Sequence, residues 1–143
     1  GRALSVEALQ MDLEMPDNIE GGIEYAAHVS DIGWQKSVTN GEVAGTTGKA
    51  KFIEALKINL TGEIAATYDI YYRVHSSDIG WLGWAKNGEY AGSTGYAKAV
   101  EAVEIRICKK DAEDKPVQDQ KSYKAEQIGE ELSIRHICKM LAG

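Results

Sequence analysis

Two histidine–aspartate pairs, His28/Asp31 and His75/Asp78, and three glutamates, Glu7, Glu54 and Glu101, are the side chains whose types and spacing could do chemistry in this sequence. A histidine three residues before an aspartate could seat a metal ion or act as an acid–base pair. Zinc sites take three or four protein ligands, and a catalytic triad needs a nucleophile beside its base; one His and one Asp supply neither. The pairs are expected to hold turns by hydrogen bonding, with a calcium ion on Asp31 or Asp78 and loop carbonyls as the alternative. The glutamates fall in register with the apolar residues of their strands, so each carboxylate needs a partner or must take up a proton. They are expected to meet near a threefold axis or to accept turn N–H groups. A general acid would need a second carboxylate across a cleft, and the sequence offers none. No catalytic residue, metal ligand or cofactor is assigned, and an enzyme is not expected.

These groups come in sets because the chain repeats with a period of 47 residues: residues 25–60 align without a gap on 72–107, and 19 of the 36 positions are identical. Such a period governs the whole fold. Residues 1–13 align on 48–60 and on 95–107, with Gly1/48/95, Ala3/50/97, Glu7/54/101 and Ala8/55/102 the same in all three. Sliding by 51 residues places Tyr123 under Tyr72 and Ala142-Gly143 under Ala91-Gly92. Residues 109–143 are therefore read either as a degenerate third repeat that closes a ring with residues 1–13, or as a tail. Residues 126–141 (EQIGEELSIRHICKML) also read as an amphipathic helix.

Three tryptophans lie in or beside glycine-rich loops, where an indole could stack on a sugar while its N–H donates a hydrogen bond. Trp34 and Trp81 follow glycine identically in both copies, which suits anchors of a shared core. Trp84 stands where the sister copy has Ser37, so it is the better ligand candidate. Tyr90 and Tyr96 accompany it, with Val43 and Lys49 as counterparts. The candidate ligand-binding set is Trp84, Tyr90, Tyr96, Asn87 and Thr94, with Trp81, Trp34 and Asn40. The loops Gly45-Thr46-Thr47-Gly48 and Gly92-Ser93-Thr94-Gly95 lack the Walker spacing and precede strands; their hydroxyls could line a sugar site.

The elements that must position these residues are strands. In residues 53–60 alternation places Glu54, Leu56, Ile58 and Leu60 on one side, the expected core face. β-Branched and aromatic residues mark strands over 23–29 and 70–74, and Asn40-Gly41 and Asn87-Gly88 are hairpin signals. Each arm reads as strand, turn at Asp-Ile-Gly, strand, Asn-Gly turn and short strand. The fold class expected is all-β: a single pseudo-threefold domain over 1–143, of β-prism or β-trefoil type, with about twelve short strands and a C-terminal helix as an option.

Composition narrows the partners. A net charge of −6 without a basic cluster argues against nucleic acid. No apolar run long enough for a membrane span and no signal peptide are visible, and a start in mid-repeat predicts a piece of a longer protein. Cys108 and Cys138 could pair or remain two buried thiols.

His-x-x-Asp-Ile-Gly-Trp, Asn-Gly-Glu-x-Ala-Gly-Thr-x-Gly as seen at 40–48, and Glu-Ala-x-x-Ile together resemble the clostridial hydrophobic (ChW) repeat with its Gly-Trp signature. The resemblance covers 23–60 and 70–107 well, 1–13 partly and 109–143 poorly. It implies a secreted or cell-surface module of Gram-positive bacteria, found in tandem and beside wall-acting domains. The function expected is non-catalytic binding of a glycan or cell-wall polysaccharide through loop aromatics; the alternative is a protein–protein adhesion or surface-assembly module with a surface protein as partner.

Overall fold

Alternation decides the buried face of each glutamate-bearing strand. In a computed structural model, which describes residues 5–15, 18–118 and the backbone of 136–141, Leu56 and Ile58 are wholly buried and Leu60 nearly so, while Lys57 between them faces solvent. The sister strand near the N-terminus buries Leu9 and Met11 in the same way. Full burial of such a side chain stabilises by roughly 1.5–3 kcal/mol, so a one-residue slip is strongly disfavoured.

Twelve strands are described. β1 (Ala8–Leu13) stands first. The first repeat supplies β2 (Gly22–Val29), β3 (Gly33–Trp34), β4 (Val38–Thr39), β5 (Val43–Gly45) and β6 (Ile53–Thr61). After a single helical turn, α1 (Ile64–Thr67), the second supplies β7 (Tyr68–Ser76), β8 (Gly80–Trp81), β9 (Ala85–Lys86), β10 (Tyr90–Gly92) and β11 (Val100–Lys109), and β12 (His136–Leu141) ends the series. Each repeat thus holds five strands. The strands form three sheets, none closed: β12-β1-β5; β10-β6-β2-β3, with β4 also on β2; and β11-β7-β8, with β9 also on β7.

The Asn-Gly turns differ from the hairpins expected of them. Asn40 and Gly41 both have positive φ, 35° and 84°, and Glu42 N–H closes the turn on the Thr39 carbonyl, but the strands on either side enter different sheets. Asn40 N–H donates to the Ile23 carbonyl at 3.1 Å and its Oδ1 accepts Ile23 N–H at 2.8 Å, extending the ladder of β2, whereas Gly41 N–H donates across to the Met11 carbonyl on β1. Asn87 and Gly88 repeat this with Ile70 and Ile58. β5 therefore docks on β1, and β10 on β6.

Glycine makes that docking possible. A Cβ on Gly45 (φ +95°) would overlap the Glu7 carbonyl and lie 2.8 Å from the Ala8 Cα, and one on Gly92 (φ +118°) would meet Glu54 and Ala55 identically. A buried tyrosine fixes each crossing: Tyr25 OH donates to the Glu42 carbonyl and accepts Met11 N–H, and Tyr72 OH donates to the Glu89 carbonyl.

Three residues one period apart tie the units together. Val6 N–H donates to the Val100 carbonyl and Ile53 N–H to the Val6 carbonyl, each at 2.8 Å, and all three side chains are buried. The antiparallel pairing of β12 with β1 joins the two ends of the chain. Residues 136–141, the end of the segment with a helical pattern, are thus a strand, because the edge of β1 offers a full ladder that outweighs helix propensity. The remainder of that segment, Tyr123 and Ala142-Gly143 lie outside the described residues.

Candidate functional site

The second repeat departs from the first through a linked set of changes on one sheet face. Ala26 and Lys57, paired across β2 and β6, are replaced by Arg73 and Glu104 across β7 and β11. Arg73 is 1 % exposed, bonds Glu104 Oε1 through Nε at 2.7 Å, and carries its guanidinium 4.6 Å from the Trp81 ring and 4.8 Å from the Trp84 ring. Trp84 belongs to this arrangement: it is 4 % exposed and packs with Tyr71, Cys108 and Ala112 in a second apolar cluster. The expectation that Trp84 faces a ligand is corrected. It appears in one copy because Arg73 does, and the cation–π stack occupies its face.

The two shared tryptophans are surface groups instead of core anchors. Trp34 is 37 % exposed and Trp81 is half-buried. Each meets its histidine edge to face, Trp34 with His28 at 5.2 Å and Trp81 with His75 at 5.4 Å. Each imidazole is in turn held through Nδ1 by the glutamate of the same repeat, His28 by Glu54 at 2.9 Å and His75 by Glu101 at 3.0 Å. The buried glutamates thus find partners 26 residues away, not one another and not turn N–H groups. Glu7 Oε1 is buried with no hydrogen-bond partner among the described residues, and Leu141 stands opposite Ala8 at the register position where His28 stands opposite Ala55.

Asp31 and Asp78, both with positive φ at the turn tips, pair with Lys51 at 2.7 Å and Lys98 at 3.0 Å, not with their histidines. Among the described residues no group of three or more His, Cys, Asp or Glu could hold a metal ion. Asn40 and Asn87 spend their Oδ1 atoms on Ile23 and Ile70, and Asn87 Nδ2 donates to Asp69 at 2.8 Å; their role is to shape the crossing, which corrects their place in the ligand set. Asp69 is also bonded by Lys110 at 2.6 Å. Burial raises its pKa, but the bonds from Lys110 and Asn87 and the charges of Lys86 and Lys110 bring it net below the usual carboxylate range. Thr94 is half-buried in its loop.

What remains exposed converges on the five-stranded sheet. Tyr90 on β10 stands directly opposite Lys57 on β6, so their side chains share a face. The Lys57 ammonium lies 4.3 Å over the Trp34 ring. Tyr90 on β10, Lys57 on β6 and Trp34 on β3 form a row that spans four strands, β2 lying between the last two; Tyr90 is 57 % exposed, and Glu54 and His28 fix the indole. Tyr96 is 73 % exposed in the following loop. A cleft of about 430 Å³ lined by Ile19, Tyr68, Lys109, Lys110 and Asp111 contains none of the aromatic candidates. Lys57 carried no signal in the sequence, because its counterpart is Glu104 and its neighbours become known only with the register.

The fold and this repeated Glu–His–Trp chain define an all-β internal-repeat protein. The family model Clostridial hydrophobic W matches residues 28–62 and 75–109, and these are two copies of that repeat. No curated protein and no solved structure matches the chain.

Proposed function

We propose that this is a non-catalytic binding module, secreted or at the cell surface, that takes a glycan or cell-wall polysaccharide on the Tyr90–Lys57–Trp34 row. The observation that carries the reading is the row itself: two exposed aromatic side chains, Tyr90 and Trp34, stand with a cation that covers one face of the indole, a platform for the apolar faces of sugar rings with a donor for their oxygens. Each imidazole holds a tryptophan and is held by a glutamate, a positioning chain in place of an acid–base one. The three separate sheets around the Val6–Val100 and Ile53–Val6 bonds favour a prism-like arrangement over a trefoil, whose strands would close a barrel.

A glycan array with the wild type, Trp34→Ala and Tyr90→Ala tests this. Binding by the wild type that falls at least tenfold in both variants, with cooperative thermal unfolding retained well above the assay temperature, is the expected result. Silence across wall and host glycans overturns it. A second reading, a protein partner, is favoured by Ile32 and Ile79, 51 % and 49 % exposed at identical turn tips; Ile32→Ser with Ile79→Ser would spare glycan binding and abolish adhesion.

A further inference from the structure

Among the described residues β11 lacks a neighbour that both of its sister strands possess. β1 receives β5 with Ala8 opposite Gly45, Leu9 opposite Ala44 and Gln10 opposite Val43; β6 receives β10 with Ala55 opposite Gly92, Leu56 opposite Ala91 and Lys57 opposite Tyr90. One period further on, the matching positions are Ala102, Val103 and Glu104 of β11. That edge pairs with no strand among the described residues, and β7 occupies the other.

Burial records the difference. Ala8, Leu9, Ala55 and Leu56 are wholly buried, whereas Ala102, Val103 and also Ile105 are partly exposed. The His75 and Glu101 side chains are 37 % and 18 % exposed against 18 % and 8 % for His28 and Glu54. The polar groups are prepared as well. Glu7 and Met11 turn their carbonyls to Thr46 and Gly41, and Glu54 and Ile58 turn theirs to Ser93 and Gly88. By the same alternation Glu101, Val103 and Ile105 aim their backbone groups away from β7, at the edge that no described strand pairs.

We propose that the edge of β11 at Ala102–Glu104 is an acceptor for one more repeat arm, an X-Ala-Gly strand followed by Ser or Thr and supplied by another copy of the repeat in tandem or in trans. The occupant is specified by what the equivalent edges hold. The backbones approach so closely that the third residue must be glycine, and the alanine before it, 2 % exposed at both Ala44 and Ala91, fills a core position. Main-chain pairing supplies affinity and these two small residues supply selectivity. The edge would let modules of this kind be added end to end without a new interface. The inference is independent of the glycan reading.

The test is an NMR titration of the full chain with a synthetic peptide of residues 85–95 (AKNGEYAGSTG) up to millimolar concentration, with amide exchange recorded. Binding is expected to slow exchange of the Val103 amide at least tenfold at saturation. The same peptide with Gly92→Val should not bind. Val103→Pro, which removes the N–H on that edge of β11 while leaving the hydrogen bonds to β7 from the residues on either side, should abolish binding, with retained protection of the β7 amides showing that the fold survives. The proposal falls if β11 shows no response, if the valine peptide binds equally well, or if the Val103 amide of the free protein is already as protected as that of Leu56.

Discussion

Tyr90 stands directly opposite Lys57 although the two residues belong to different repeats. The arm of the second repeat crosses to the last strand of the first, so the exposed row is composite, and the matching row of the second repeat is closed by Arg73 and Trp84. The repeats are alike in sequence and unlike in surface.

The tryptophans should separate cleanly. Trp84→Ala removes a buried ring stacked on Arg73 and should destabilise by roughly 3 kcal/mol, whereas Trp34→Ala, at a half-open site, should cost about 1 kcal/mol and act on ligand affinity. Denaturant unfolding of both variants checks this, and equal costs would contradict the placement of Trp84.

The two His–Glu pairs should differ in strength. His28→Ala leaves Glu54 buried without its partner, at a cost of about 1–3 kcal/mol; His75→Ala should cost about half as much because Glu101 is more exposed. A double-mutant cycle on each pair should show the larger coupling for His28 and Glu54.

Alkaline pH should unfold the protein through Tyr72. Its phenol is pushed up to about 12 by burial, with the Glu89 charge adding to the rise and backbone bonds from Ile58 and Gly88 opposing it. The value lies above that of an unfolded tyrosine, about 10, so the neutral phenol stabilises the fold fully below pH ~10. That contribution, ~2 to 3 kcal/mol, is lost as pH rises through about 12. Denaturation midpoints from pH 8 to 12 should fall along this curve, and Tyr72→Phe should flatten it.

Gly92→Ala should cost several kcal/mol, since its Cβ would meet the Glu54 carbonyl and Ala55 backbone, whereas Gly95→Ala, with nothing within 4 Å, should cost about 1 kcal/mol from its positive φ alone. Thermal unfolding of the pair checks this, and a neutral Gly92→Ala would show that β10 does not dock on β6.

The period, the all-β class and the buried face of Leu56, Ile58 and Leu60 were legible because alternation and turn residues are local. The crossing at Asn40-Gly41 was not: its cause is the close approach of Gly45 to Ala8, which no local pattern records. The exposure of the tryptophans was misread for the same reason. Trp84, in the loop between β8 and β9, is covered by Arg73, eleven positions earlier on β7, and Trp34 is oriented through His28 by Glu54, 26 residues after that histidine. The strand at 136–141 was hidden by helix-forming residues, since only the waiting edge of β1 makes it a strand.

The crossing of the arms puts the duplication and the architecture out of phase. A cut between Thr61 and Tyr68, where the two repeats meet, would divide no strand yet would strip β10 from β6 and leave β6 with a bare edge. The 47-residue motif is therefore a unit of inheritance without being a unit of folding. A single excised copy should be an unstructured peptide, and folding should require the strands gathered around Val6, Ile53 and Val100 together.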